Sequence, residues 1–598
     1  MAEVNGVNSI NGTHQHRTNG TTTGATTFTI KDEPVENLRH LKVRVIGAGY
    51  SGILAAIRIP EKIRNVDLVV YEKNEAVGGV WFLNRYPGLA CDIPSHSYQY
   101  SFSPNPLWSS LYAPGKEIRE YLQDVAERFG ATRFIKTSHK VEKCVWDAAE
   151  RKWRITVTNL ITSETFEDIT DILITARGQL NDISWPDLPG LDKFQGKVVH
   201  SADWDETYNF KNKKIGVIGN GSSAIQIIPR LQKLEGVSLT CFIRSSTWIS
   251  PAFGDAAMVA LGLDPTVINF SEEQRQAFLR DPEGYLRMRK VIEDDGNLIH
   301  ESTIPGTKMQ VEFTDSFRKI MRERLAKKPE LLKTLIPTFS PGCRRLTPGR
   351  GYLEALVEDN VDVVTETITS VTETGVVLAS GTELQLDTLV CATGFQISAP
   401  PNFEVVGRSG LTLAQRWTPH PESYLSVACD GFPNLLMMFG PNSAIGFGSL
   451  TKILEAECDY AVRVVRKIQK EDYATFEPRA ERVADFSRYT QEYFRGTVYM
   501  DKCKSWYRSE GGRGDWISGL WPGSTLHALE ALRSPRWEDF VFESADLSGN
   551  ALRWMGNGWS VTQKDGDSSW YINPEEVEWP VEGKPEENPR YKARPWSY

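Results

Sequence analysis

Two glycine-rich loops, each set between a short apolar strand and a helix, constrain this chain more than any other feature. The first reads Gly47-Ala48-Gly49-Tyr50-Ser51-Gly52 and the second Gly219-Asn220-Gly221-Ser222-Ser223-Ala224. An apolar, β-branched run over 41–46 leads into the first loop. A helical stretch over 50–59 comes next, and Pro60 is expected to end that helix. In such a unit Gly47 permits the tight turn, Gly49 lets backbone approach a pyrophosphate, and Gly52 lets helix pack on strand. The helix N-terminus then offers its N–H groups to the phosphate. A chain with two such units is built to bring two dinucleotides together.

The two loops differ in the residues downstream of them. After the first, a strand over 66–71 ends in Glu72, whose carboxylate suits ribose hydroxyls and repels a 2′-phosphate. After the second, a strand over 214–218, a helix over 224–231 and a strand over 237–243 lead to Arg244 and Ser245, with no acid. A guanidinium matches a 2′-phosphate through paired hydrogen bonds; the other reading of Arg244 is a solvated strand end. The pattern assigns FAD to the first site and NADP(H) to the second. Gly219, Gly221, Ser222, Ser223, Ala224 and Gln226 are the expected contacts on the second loop and its helix.

The chain of 598 residues is too long for one core, so several domains are expected. A net charge of -9 offers no basic footprint for nucleic acid. The 8 Cys show no Cys-x-x-Cys pair and their spacings are long and irregular. That argues against a redox-active dithiol and a zinc site, and fits a reducing, cytoplasmic location. No apolar run approaches the roughly 20 residues of a membrane helix. Residues 1–36 lack the apolar core of a signal peptide and read as a disordered Asn/Thr/Gly-rich tail. The sequons at Asn11 and Asn19 are expected to be silent. A third, at Asn220, lies inside the second glycine loop, where a glycan would block a nucleotide.

Between the loops the chain reads Gly78-Gly79-Val80-Trp81-Phe82-Leu83-Asn84-Arg85-Tyr86-Pro87-Gly88-Leu89-Ala90-Cys91-Asp92. This resembles the GGxWxxxxYPGxxxD signature of class B flavoprotein monooxygenases of the Baeyer–Villiger type. Before the second loop, Phe194-Gln195-Gly196-Lys197-Val198-Val199-His200-Ser201-Ala202-Asp203-Trp204-Asp205 resembles the same family's FxGxxxHxxxW[P/D] fingerprint. Residues 387–395 (DTLVCATGF) resemble its strand-to-flavin motif. The resemblance runs over about 41–543, and the segment 520–539 is similar to fungal members that act in polyketide or terpenoid pathways.

The resemblance implies a reaction. NADPH reduces FAD, reduced flavin captures O2, and one oxygen is inserted beside a ketone carbonyl to give an ester or lactone. Flavin carries the hard chemistry, while the protein must position, desolvate and stabilise developing negative charge. Arginine suits the last task because it stays charged in a dry pocket. The family's pattern points to Arg345, in Cys343-Arg344-Arg345, as the catalytic cation, with Asp92 keeping it charged and oriented. Arg344 stands where the family usually has lysine, reaching the NADP 2′-phosphate. The bland alternatives are a surface loop for both arginines and a turn cap for Asp92. Gly79, Trp81 and Val141 are further expected flavin-side contacts. Trp506 resembles a tryptophan that contacts NADP, with an ordinary buried Trp as the alternative. His200 reads as structural rather than as a general base. Residues 440–442 come after a strand over 434–439 and are expected against the flavin ring. Arg177 departs from the family pattern, and two readings stand for it: near the flavin or out in solvent.

The expected fold is α/β, with two Rossmann-like domains and a helical insertion. The FAD domain covers 38–190 and 389–545, and the NADP domain 191–251 and 339–388. A helical cap spans 252–338, with helices over 271–291 and 314–335. The tail is 1–37, and 546–598 is a C-terminal extension. A monomer or weak oligomer is expected. Three rival functions share part of this pattern. A heteroatom (S or N) oxygenase uses a protonated, electrophilic oxygen donor, and the Arg345 and Asp92 pair favours the deprotonated nucleophile instead. A pyridine-nucleotide disulfide reductase needs a dithiol. A non-catalytic nucleotide-binding protein needs the glycines but not Arg345.

Overall fold

The computed structural model describes residues 28–36, 38–251, 253–397, 400–546, 550–563 and 566–573. The sequons at Asn11 and Asn19 and most of the proposed tail lie outside them. Residues 38–545 form one compact unit, and the described parts of 1–37 and 546–598 form a second. Residues 28–36, expected in a disordered tail, are paired. Val35 N–H donates to Trp559 O at 2.8 Å and Asn557 N–H to Glu33 O at 2.8 Å.

Two parallel five-stranded sheets organise the larger unit. In the first, Leu41–Ile46 lies between Val66–Tyr71 and Ile172–Thr175, with Leu435–Met437 and Ile135–Lys136 at the edges. Ile46 pairs with both Tyr71 and Thr175, so three strands end level with one another. In the second, Lys214–Ile218 lies between Ser238–Phe242 and Thr388–Cys391, with Val361–Val364 and Lys197–His200 at the edges. Lys214–Ile218 and Thr388–Cys391 are mostly apolar because both of their faces are covered, whereas Leu41–Ile46 carries a buried Arg44 paired with Asp67 and Asp168. Each glycine loop leaves the carboxyl end of its central strand, where open parallel sheets bind ligands.

The helix Tyr50–Lys62 packs between its sheet and the long helix Leu450–Lys470. Ile53, Leu54 and Ile59 are fully buried, each stabilising by about 2 kcal/mol. Pro60 does not stop this helix. It sits in the last turn, where the missing N–H costs one bond, and Ile63 N–H still reaches Ile59 O. A mixed sheet of Glu404–Val406, His139–Asp147, Lys152–Asn159 and Thr165–Thr170, with its first pair parallel and the others antiparallel, flanks the first nucleotide sheet. Its core holds Trp146 and Trp153 edge to face.

The segment over 253–338 is helical, but its expected long helices are broken. Glu272–Arg280 begins with a Ser271 capping box, and Pro282–Leu298 restarts under an Asp281 cap. Proline at the first helical position explains the break, since it cannot continue the preceding turn but suits a new start. Lys308–Arg324 likewise ends before a separate short helix, Leu332–Leu335. Among the described residues no helix is long and apolar enough to cross a membrane.

Candidate active site

The first glycine loop is shaped by close backbone approaches. Gly47 has φ 100°, and a Cβ there would stand 2.6 Å from Ala176 O. A Cβ on Gly52 would fall 1.8 Å from Gly47 O, so Gly52 serves helix packing and lies behind the cleft. Gly79 has φ 56°, and its Cβ would lie 2.9 Å from Gly49 Cα. The glycine of the tryptophan signature thus stacks on the glycine loop. Glu72, buried at the strand end, accepts from Ala48 N at 2.7 Å and Asn74 N at 2.8 Å. Its carboxylate therefore holds the loop as well as facing the cleft.

A cleft of about 430 Å³ opens above these glycines. Its lining includes Gly47, Gly49, Glu72, Gly79, Trp81 and Val141. Asp92, Arg345 and Trp506 line it further along, and Ser222, Ser223 and Gln226 close it from the second loop. Arg177 also lines it, partly buried and paired with Asp182 at 3.2 Å, which decides against the solvent reading. Phe439 reaches the cleft, while Gly440 and Pro441 line a smaller neighbouring cavity.

The second loop repeats the first. Gly219 has φ 122°, and a Cβ there would lie 2.4 Å from Ala392 O. Ala224 is buried behind the loop in the core, while a Cβ on Gly221 would meet nothing within 4 Å. The loop's outer face is thus open to a phosphate. Asn220 donates its side-chain amide to Ser245 O, so its nitrogen is committed to the fold rather than to a glycan. Arg344 donates to Ser246 O at 2.9 Å and Ser245 Oγ at 3.3 Å. Burial lowers its pKa from the ordinary range. Lys504, which sequence reasoning missed, is lowered by partial burial and by the guanidinium groups of Arg244, Arg513 and Arg344. Lys504 thus feels the positive charge of three arginines, and a bound anion would relieve it. Arg244, Ser245 and Arg344 lie outside the cleft lining itself.

The two sites are joined by Gln226. Its Nε2 donates to Ala90 O at 3.0 Å, and its Oε1 accepts from Tyr86 Oη at 3.0 Å and Ala90 N at 3.4 Å. Its side-chain bonds therefore go to the signature segment, and Gly88 makes room, since a Cβ there would lie 2.5 Å from Gln226 O.

Arg345 forms a two-pronged bond to Asp92, with Nε–Oδ2 at 3.0 Å and Nη2–Oδ1 at 2.6 Å. Burial alone would lower the guanidinium pKa, but the Asp92 charge and hydrogen bonds outweigh it and leave the pKa raised. Arg345 is thus a permanent, oriented cation at the cleft, and neither surface loop nor turn cap describes the pair. It also borders a second cavity lined by Phe253, Ile292 and Phe447 from the helical segment and the loop after the last sheet strand. Tyr507, fully buried, contacts Arg345 from behind. His200 is fully buried and lies outside the cleft lining. Its Nδ1 accepts from Ala202 N at 3.0 Å, and its ring packs on Trp185. Burial lowers its pKa, in keeping with a structural role.

One expectation fails outright. Cys343 and Cys503 form a disulfide across 160 residues of sequence. Spacing rules detect pairs close in sequence, whereas this pair is made by two loops that meet only in the fold. Cysteine usage therefore no longer supports a reducing compartment. The other six cysteines are free and buried.

Two nucleotide-binding sheets facing one cleft, with a fixed arginine–aspartate pair between them, define a two-dinucleotide flavoprotein. Comparisons with known proteins narrow the class. The flavin-binding monooxygenase-like family model matches residues 40–257. The chain is 36% identical over 544 residues to the FAD-binding monooxygenase moxY of Dothistroma septosporum, covering 90% of this chain and 85% of that one. It is 33% identical to a Baeyer-Villiger monooxygenase of Streptomyces coelicolor, covering 81% and 89% respectively. Its fold resembles cyclohexanone monooxygenase from Rhodococcus sp. Phi1 bound to NADP+, with TM-score 0.72, 26% identity, and coverage of 86% and 100%. The chain belongs to the FAD-binding monooxygenases, in the branch that includes Baeyer-Villiger enzymes.

Proposed function

We propose that the protein is an FAD- and NADPH-dependent Baeyer–Villiger monooxygenase that converts a ketone to an ester or lactone. The observation that carries this reading is the Arg345–Asp92 pair at the cleft, a fixed cation where negative charge develops. FAD occupies the site of Gly47, Gly49, Glu72 and Gly79, and NADPH that of Gly221, Ser222, Ser223 and the Arg244–Arg344–Lys504 cluster. The open face of Gly221 and the unneutralised cations fit a 2′-phosphate nucleotide. Bound flavin supplies electron transfer and oxygen activation. The protein holds both nucleotides toward one cleft, excludes water with Trp506 and Leu454, and keeps Arg345 charged through Asp92. A guanidinium held in place before charge appears stabilises that charge without reorganisation.

The likeness to fungal relatives such as moxY supports a secondary-metabolite ketone as substrate. A reductase is disfavoured because neither Cys343 nor Cys503 lines the cleft. Stopped-flow absorbance tests the proposal with wild type and Arg345→Ala. Wild type, reduced by NADPH and mixed with O2, is expected to reoxidise faster with ketone and to form ester. Arg345→Ala is expected to be reduced by NADPH normally and to form none. Retained ester formation in Arg345→Ala would refute the assignment.

A further inference from the structure

The disulfide joins the two loops that carry most of the second site's positive charge. Cys343 immediately precedes Arg344 and Arg345, while Cys503 immediately precedes Lys504 and stands three residues before Trp506. Neither loop belongs to a sheet or long helix. The 499–508 segment keeps its own shape without the bond, because Arg508 Nη2 donates to Tyr499 O at 2.5 Å and Asp501 O at 2.7 Å. The non-covalent ties between the loops include Ser340 N–H to Asp501 Oδ2 at 2.7 Å, Cys343 Sγ beside Asp501 O at 3.4 Å, Val498 packed by Gly342, and Tyr507 against Arg345. Opposing them is the repulsion that Lys504 feels from Arg344 and Arg244. Closure before an anion arrives therefore rests heavily on one covalent bond. Cys343 is fully buried, whereas Cys503 is partly exposed, so a reductant meets the bond at Cys503 Sγ.

We propose that Cys343–Cys503 is a thiol–disulfide switch that sets the affinity for the 2′-phosphorylated nucleotide by clamping Lys504 and Trp506 against Arg344. A dithiol supplies the two electrons and two protons. Its thiolate attacks Cys503 Sγ, the Cys343–Cys503 bond breaks, and a mixed disulfide forms. The second thiol displaces Cys503, leaving two protein thiols and an oxidised dithiol. A small-molecule disulfide such as oxidised glutathione reverses the step and is itself reduced to two thiols. Once reduced, the turn bearing Cys503 and Lys504 is released from Cys343 while Tyr499, Tyr507 and Arg508 stay buried, and Lys504 draws away from Arg344.

The inference rests on the proposed assignment of the second site to NADPH, and the test separates the two. Thiols are counted in denaturant on protein purified without reductant, before and after dithiothreitol. The rate of flavin reduction is then measured against NADPH and NADH concentration in both states and in Cys503→Ser. Two additional thiols are expected on reduction. The NADPH concentration for half-maximal rate is expected to rise about tenfold, as for the loss of a charge-assisted contact, with NADH changing less than about twofold. Cys503→Ser is expected to start at the reduced value and to ignore dithiothreitol. An unchanged thiol count, or equal NADPH dependence in both states, overturns the switch. If neither nucleotide reduces the flavin, the assignment of the second site fails instead. Trypsin cleavage at Lys502 or Lys504 then decides the switch. Faster cleavage on reduction supports it, and an unchanged rate overturns it.

Discussion

Glu457 lies on the long helix Leu450–Lys470, almost wholly buried against the loop that borders the cleft. Its Oε2 accepts from Phe439 N at 2.7 Å, and its Oε1 accepts from Ser443 Oγ. Burial pushes its pKa to about 8 from 4.5, and the two hydrogen bonds pull it down without prevailing. The folded chain therefore keeps a proton that the unfolded chain releases between those values. A raised pKa gives a stability contribution that is whole below pH 4.5 and lost as pH rises to about 8. Each unit is worth about 1.4 kcal/mol, so the loss across this window is on the order of 5 kcal/mol. Glu457→Gln stays neutral and so lacks this slope, at the cost of one imperfect hydrogen bond worth about 1 kcal/mol at every pH. The assay is guanidinium unfolding of wild type and variant in saturating FAD, because bound cofactor adds its own stabilisation. The difference in stability is expected to shift toward the variant by about 1.4 kcal/mol per unit between about pH 5 and about pH 8, then level off. A difference that does not change with pH would refute the reasoning.

A Cβ on Gly49 meets Gly79 Cα at 3.5 Å, an ordinary contact, so Gly49→Ala is expected to fold normally. It nonetheless fills the space that a pyrophosphate needs, and flavin-fluorescence titration is expected to show FAD affinity falling by about tenfold or more. Asp92→Asn leaves Arg345 buried without its counter-charge. Denaturant unfolding is expected to report a loss of about 3 kcal/mol, because both side chains are less than one-third exposed. Arg344→Ala is expected to raise the NADPH KM by about tenfold in steady-state assays, with the NADH KM nearly unchanged and salt sensitivity reduced.

Much of the site was readable because its parts are local. A glycine at positive φ, a strand before it and an acid after it all fall within a few tens of residues, and the strands 41–46, 66–71 and 214–218 lie where the periodicity puts them. The pairing of Arg345 with Asp92 came from resemblance rather than pattern, since 253 residues separate the partners. The parts that stayed hidden depend on loops that meet only in three dimensions. Lys504 is one lysine among many until Arg244, Arg344 and Arg513 surround it. Cys343 and Cys503 look like unrelated buried thiols. Glu457 shares its helix with exposed charges such as Arg463, and only the fold shows its carboxylate meeting the Phe439 amide and Ser443 hydroxyl. Helix ends failed for another reason. A proline near a terminus can close one helix or open the next, and Pro60 and Pro282 resolve differently.

Gln226 gives the molecule a fulcrum. Its amide bonds to both sides of the Tyr86–Ala90 bend, and Gly88 lets the two backbones meet there. If one nucleotide sheet swings relative to the other, the smallest displacement falls at this pin, and the travel grows with distance along the lever arm. The helical segment over 253–338 is tied to the first nucleotide domain as well, through Leu111 N–H to Ile268 O at 2.7 Å and His96 Nδ1 to Tyr285 Oη at 2.9 Å, so any rotation about this pin must carry or break those bonds.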